Sequence, residues 1–327
     1  MVILPAFFNY KEGAMTNCFI LITGGAGYIG SYTALLFTQQ GYQCILLDEK
    51  FPHGQYTWAI NVQGDYADQQ LLATLFKQYP IDAVIHCAAI DTHLQIKNNI
   101  DHYQKDLSKT ITLLNSMAEH GVKKCIFASS AQVYGKHEGI LAADLKKYPY
   151  TTYGKSKSLI EDLLADSHQT YNVRSASMRY FDACGYLHDY VLAKKATINI
   201  IRLLIESAKR NSPFFHGDAH NTPDGSLIRD FIHVWDIADA NLKAYHYLQH
   251  TAAADCFNVG SGNGTSIKQL VHEAQRVFNT KIKMAAAQEA GEPAVVVADI
   301  SKTVDLLNWQ PNHSNIEFIL KSTYAGM

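Results

Sequence analysis

Tyr153 and Lys157 stand four residues apart in Tyr153-Gly-Lys-Ser-Lys157, a spacing that puts both on one face of a helix. A free phenol has a pKa near about 10 and is a poor base at neutral pH. A neighbouring ammonium and a positively charged nicotinamide ring both favour the phenolate. Tyr153 can then take a proton from a hydroxyl while the carbinol carbon loses hydride. Ser130, in Ser129-Ser130, can relay that proton or bind the carbonyl oxygen that forms. On its own a Tyr-x-x-x-Lys is a common surface pair. It acquires meaning from Gly24-Gly-Ala-Gly27-Tyr-Ile-Gly30, which directly follows the apolar run Phe19-Ile-Leu-Ile-Thr23.

Gly24, Gly27 and Gly30 lie between an expected strand and an expected helix. The first permits a tight turn, the second lets the backbone approach a pyrophosphate, and the third lets helix and strand pack closely. The helix start, Tyr28 and Ile29, presents unpaired N–H groups to the phosphates. Asp48 ends the next apolar run, close to the usual interval of about 20 residues, and its carboxylate can accept from both ribose hydroxyls. It would repel a 2′-phosphate, and no Arg follows the glycines, so NAD is expected rather than NADP. Asp65 is a candidate for the adenine ring or, alternatively, a turn or helix-cap residue. With Tyr153, Lys157 and Tyr180 these complete the expected cofactor contacts.

The elements that must position these groups alternate. Strand patterns at 18–23, 43–48, 82–87, 124–129 and 174–180 are separated by helical patterns at 28–40, 68–79, 99–120 and 153–171. Short continuous apolar runs between amphipathic helices indicate a parallel sheet covered on both faces, an α/β Rossmann-type doubly wound fold. After residue 181 the regularity weakens. The loop 211–225 precedes a strand at 226–234, a helix at 235–249 and a strand at 256–260. The expected division begins with an N-terminal extension at 1–16, read as disordered. A dinucleotide domain covers 17–180 and 226–260, and a smaller mixed α/β substrate domain covers 181–225 and 261–327.

The chain has 327 residues, 47% hydrophobic and 18% charged, with a formal net charge of −2. No charge block suggests a nucleic-acid or membrane-surface partner, and no apolar run approaches the roughly 20 residues that cross a bilayer. The six cysteines form no Cys-x-x-Cys pair, so reduced thiols and a cytoplasmic location are expected. His216/His220 and His246/His250 lack a third ligand, and no metal is expected. His233 precedes a helical run and is read as ordering a turn.

Together these motifs resemble the extended short-chain dehydrogenases, and most closely the UDP-glucose 4-epimerases. The resemblance covers nearly all of 18–311. It includes Asp82-Ala-Val-Ile-His86, Ser129-Ser-Ala-Gln-Val-Tyr-Gly135 and Arg179-Tyr-Phe181. Asn221-Thr-Pro-Asp-Gly225 with Ile228-Arg-Asp-Phe-Ile-His-Val234 points to the hexose epimerases within the superfamily. Phe257-Asn-Val-Gly-Ser-Gly262 and Ala298-Asp-Ile-Ser-Lys302 complete it. The resemblance implies a tightly held NAD, a UDP-hexose substrate, and a homodimer built on helices 99–120 and 153–171, whose apolar positions alternatively face the sheet as core. It implies C4 oxidation, rotation of the 4-keto sugar and re-reduction. It places Ser130, Gln132, Tyr153, Asp182 and Arg229 against the substrate, Arg229 on the diphosphate. Alternatives are dehydratase or reductase chemistry on another sugar nucleotide, or a non-catalytic NAD-binding relative. Ala131 and Gln132 stand where a dehydratase carries an Asp-Glu pair, against dehydration.

Departures from the family gather at binding positions. Asp91 replaces a Lys near the cofactor phosphates, Asp106 a cofactor-side Asn, Gln132 a Thr, and Asp182 an Asn that binds the nucleotide sugar. Ala196-Thr197 stands at an Asn pair of the uridine pocket, and Glu289 at a diphosphate-binding Arg. Two charges about 4 Å apart interact by roughly 4 kcal/mol at an effective dielectric near 20, so these reversals bear on the substrate more than on the fold.

Overall fold

Phe19-Ile-Leu-Ile-Thr23 and Gln43-Cys-Ile-Leu-Leu-Asp48 form neighbouring parallel strands whose alternate residues face opposite layers of helix. The computed structural model describes residues 18–52, 54–89, 99–187, 200–216, 220–286 and 291–326. The expected extension at 1–16 lies outside them.

Chain order begins β1 (Phe19–Thr23), α1 (Tyr28–Gln39), β2 (Gln43–Asp48), β3 (Ile60–Gln63), α2 (Gln69–Gln78) and β4 (Ile81–His86). It continues with α3 (Asn99–Glu119), β5 (Lys124–Ser130), β6 (Gly139–Leu141), α4 (Thr152–Tyr171), β7 (Arg174–Tyr180) and β8 (Asp182–Cys184). Then come α5 (Ile200–Arg210), β9 (Phe214–His216), β10 (Ile228–His233), α6 (Val234–His250) and β11 (Ala254–Val259). The last are β12 (Gly264–Ser266), α7 (Ile267–Phe278), β13 (Met284–Ala286), β14 (Val295–Ala298), α8 (Ser301–Leu307) and α9 (Ile316–Gly326).

Seven strands form one parallel sheet in the order β11-β7-β5-β4-β1-β2-β3. Ile20 and Ile22 pack toward Tyr32 and Leu35 of α1 and Ile237 of α6. Leu21 points the other way, into a core with Leu75 of α2, Met117 of α3 and Ile160 of α4. This is the doubly wound arrangement. The chain winds outward from β1 through β2 and β3, then returns to β4 and winds the other way. The crevice beyond the C-terminal ends of β1 and β4 is therefore the topological switch point, where open sheets of this kind bind ligands.

A second, mixed sheet runs β12-β10-β14-β6, with β8 also paired to β10. A two-stranded pair, β9 with β13, lies apart from it. Past the boundary expected at residue 226 the chain crosses between the two larger sheets. β10 belongs to the smaller sheet, and Phe231 packs with Leu204, Leu270 and Leu320 from α5, α7 and α9. β6, from within the first expected domain, joins that sheet too. α6 and β11 return to the large sheet. The reason lies in Asp230. It is fully buried, and its carboxylate accepts from Ser261 N–H and Oγ at 2.6 Å each, and from Gly262 and Ala298 N–H at 3.0 Å. Those donors come from the turn after β11 and from β14, so Asp230 clasps the smaller sheet to the large one.

Candidate active site

The switch point carries the glycine turn as the spacing predicts. Gly24 adopts φ +66°, and a Cβ there would lie 2.6 Å from Ala88 N, on the segment after β4. At Gly30 a Cβ would lie 2.2 Å from Gly24 O, so the third glycine lets α1 close on the turn. Gly27 caps α1 without any side-chain hydrogen bond. The first N–H groups of the helix are thereby left for an anion. Asp48 lines the same cavity and holds the turn through Ala26 N–H at 3.1 Å. Burial pushes its carboxyl upward, against the pull of the Lys50 and Ala26 N–H groups. The cavity is about 460 Å³, between Gly24, Gly27, Asp48, Tyr66, Ala88 and Lys105 among others.

Four of the expected cofactor contacts have side chains engaged elsewhere in the protein. The Tyr28 side chain is buried and its hydroxyl donates to the Gly185 carbonyl. Ile29 packs against the core. Both can therefore offer only backbone, because the first turn of α1 aims these side chains away from the crevice. Asp65 accepts from Ala67 N–H at 2.9 Å and pairs with Lys109 at 2.7 Å, while its neighbours Gly64 and Tyr66 line the cavity. The Tyr180 hydroxyl donates to Asn241 Oδ1 at 2.7 Å, so it ties β7 to α6 and only the ring is left for the crevice.

Ser130, Tyr153 and Lys157 converge where β5 ends and α4 begins. Ser130 pairs in register with Tyr180, and its Oγ accepts from Gln132 N–H at 3.2 Å, capping the 3₁₀ turn Ala131–Val133. Thr151 caps α4 by accepting from Gly154 N–H at 2.9 Å, and donates to Gln132 Oε1 at 2.8 Å. A Cβ at Gly154 would stand 2.5 Å from Gln132 O. That glycine is what allows the first turn of α4, and so Tyr153, to press against the turn after Ser130. Lys157 is buried, with Nζ 4.7 Å from the Phe127 ring centroid and 5.5 Å from that of Tyr153. The ammonium thus sits one helical turn behind the phenol.

Beneath them Glu161 and Arg179 form a buried bidentate pair at 2.9 and 2.7 Å. Glu161 also accepts from Ser129 Oγ at 2.6 Å. Arg179 donates further to Tyr134 and to the Ala143 carbonyl.

A cleft of about 310 Å³ adjoins Ser130 and is lined by Gln132, Tyr150, Tyr180, Asp182, Arg229 and Glu292, among others. Arg229 donates to the Pro293 carbonyl and to Glu292, each at 3.0 Å. Asp182 reaches the solvent of the cleft although protein crowds it. Desolvation there, with Asp230 and Glu292 nearby and Arg229 opposing, pushes its carboxyl up to about 6. Glu292 and Tyr150 are cleft residues that sequence reasoning missed. Glu292 lies three residues after Glu289, but its partnership with Arg229 spans 63 residues and leaves no local signal. Asp91, Ala196-Thr197 and Glu289 lie outside the described residues. His233 does order a turn, with Nδ1 accepting from Trp235 N–H at 3.1 Å. Burial lowers its imidazole to about 3, which keeps it neutral. Among the described residues no cluster of metal-ligating side chains occurs.

Residues 20–260 match the NAD dependent epimerase/dehydratase family, and the chain belongs to that family. A UDP-glucose 4-epimerase of Halalkalibacterium halodurans is 34% identical over 314 residues, covering 93% of this chain and 94% of the relative. Among solved structures, a UDP-glucose 4-epimerase of Stenotrophomonas maltophila with bound NAD and formylated UDP-arabinopyranose superposes with a TM-score of 0.87 at 28% identity. That match covers 94% of this chain and 97% of the other. A UDP-glucose 4-epimerase of Brucella ovis in complex with NAD gives 0.86 at 31% identity, over 94% and 97%. The cofactor is NAD, and the residues present fit it: the Gly24 approach, the uncapped start of α1 and the Asp48 carboxylate form its cradle.

Proposed function

We propose that this protein is a sugar-nucleotide 4-epimerase that interconverts UDP-glucose and UDP-galactose. The observation that carries this reading is Ser130 on the cleft that also holds Arg229, with the first turn of α4, which bears Tyr153, pressed against Gln132 and the Lys157 ammonium 5.5 Å from the Tyr153 ring. Bound NAD supplies a reversible hydride acceptor. Tyr153 takes the proton of the C4 hydroxyl and later returns it, with the Lys157 ammonium stabilising the phenolate between the two transfers. Ser130 Oγ hydrogen-bonds the oxygen as it becomes a carbonyl. Arg229 grips the diphosphate and exchanges Glu292 for it. Firm hold on the nucleotide leaves the sugar free to turn, so binding energy remote from C4 serves the reaction. Asp48, Gly24 and Gly27 hold the cofactor throughout.

Incubation with UDP-glucose or UDP-galactose, followed by proton NMR of the sugar, is the test. Approach to one equilibrium mixture from either side is expected. No conversion of either sugar, or of their N-acetyl counterparts, would sink the reading. Loss of water from the substrate would replace it with dehydration.

The same reading includes a homodimer and a cytoplasmic setting. Ile111 on α3 and Leu159 on α4 are exposed apolar side chains on the two helices that would form a shared bundle. All six cysteines are free thiols, as a reducing compartment requires. Light scattering is expected to give about twice the 36.5 kDa chain mass, and a value near the single chain would remove the dimer.

A further inference from the structure

Between α3 and α4 lies a buried acid that the mechanism above does not use. Asp106 on α3 and Lys157 on α4 are each 1% exposed. Asp106 Oδ2 accepts from the hydroxyl of Ser156, the residue next to Lys157. Its Oδ1 is buried with no hydrogen-bond partner. The Lys157 ammonium lies against two aromatic rings, with no hydrogen bond to protein among the described residues. A buried carboxylate oxygen left without a partner is costly, and a cation on the facing helix lowers that cost through space or through one water.

Among the described residues, the groups that face them are neutral, paired elsewhere or turned to the cofactor cavity. His86 on β4 meets Thr23 Oγ1 at 2.7 Å and Thr110 Oγ1 at 3.1 Å. Burial and Lys157 lower its imidazole to about 3, while Asp106 pulls the other way, so His86 is neutral and feels both charges. Burial pushes the Cys87 thiol up to about 12. Burial and then Asp106 push the Tyr66 phenol upward. Beyond Tyr66, Glu49 and Asp65 are paired with Lys109. Lys105, on α3 itself, lines the cofactor cavity. One turn earlier on α3, His102 Nε2 is also buried without a partner.

We propose that Asp106 is a positioning residue of this site: its carboxylate is the counter-charge of Lys157 and moderates the pull of that ammonium on the Tyr153 proton. The proposal rests on the reading of Tyr153 as the proton-exchanging group. An anion behind the ammonium weakens its stabilisation of the phenolate. Removing that anion lets Tyr153 lose its proton at lower pH.

Asp106→Asn, which keeps the size and one acceptor, is the test. The acid limb of its kcat–pH profile is expected to move to lower pH by about half a unit, a threefold change in proton affinity. KM for the sugar nucleotide should stay unchanged. Near-ultraviolet phenolate absorbance, with Tyr153→Phe protein subtracted, should titrate with the same displacement. Asp106→Glu should restore the wild-type profile. If Asp106→Asn does not fold, Asp106→Ala reads the same displacement. A purely structural acid would lower the melting temperature and leave both titrations in place, which would overturn the proposal. So would an equal displacement in His102→Gln, since the counter-charge would then act on His102. Turnover surviving in Tyr153→Phe would instead remove the reading on which the proposal rests.

Discussion

Tyr153→Phe should cut epimerase turnover by about a thousandfold, within the range that general acid–base groups contribute. The substitution removes one oxygen and keeps the ring. The Lys157 ammonium, 5.5 Å from that ring, keeps its aromatic neighbours. Nothing that holds the glycine turn passes through the phenol: Gly27 N–H bonds to Gly24 O at 3.0 Å, and Asp48 bonds to Ala26 N–H. NAD should therefore remain bound after purification, measured by absorbance of the cofactor released on denaturation. KM should move little, because Arg229 and the cleft are untouched. Wild-type turnover in this variant would take Tyr153 out of the chemistry. Loss of bound NAD together with activity would make it a cofactor-binding residue instead.

Glu161→Ala should lower stability by about 3–5 kcal/mol, the usual cost of stripping one partner from a buried ion pair. Arg179 and Glu161 side chains are only 5% and 6% exposed. The guanidinium would keep Tyr134 and the Ala143 carbonyl but lose both carboxylate oxygens. Ser129 Oγ would lose its acceptor as well. Urea denaturation followed by circular dichroism reads the loss as an earlier midpoint. Glu161→Gln, which retains a hydrogen-bonding group without the charge, should fall between the two. An unchanged midpoint in Glu161→Ala would show that the pair contributes nothing net. The pair also anchors the end of β5 under α4, so the variant should lose activity before it unfolds.

Much of this molecule is legible in its sequence for a physical reason. Ile20-Leu21-Ile22 and Ile45-Leu46-Leu47 are buried on both faces of the sheet, and burial on both faces writes itself as an unbroken apolar run. The glycine turn is legible because a close backbone approach excludes every side chain. The short strands of the smaller sheet leave no such mark. β6 has three residues and β8 three, and each is placed by partners more than 40 positions away. The destination of a single side chain is equally silent. Tyr28 and Tyr180 stand beside the crevice in sequence, yet their hydroxyls serve Gly185 and Asn241. Tyr153 and Lys157 escaped that ambiguity because helical spacing alone brings them together. Arg229 was legible as a cation, but its pairing with Glu292 required the fold.

The alternation along β10 has a consequence for how such a protein changes over time. Arg229 opens onto the cleft, and the next residue, Asp230, is the buried clasp with four donors. Asp182 likewise faces the cleft, while its strand partner Phe231 is sealed in the core of the smaller lobe. Positions that face the cleft thus lie directly beside positions that lock the architecture. Selection can rewrite the first set singly without loosening the second. A change at 182 is the kind of step such a strand tolerates without disturbing the scaffold.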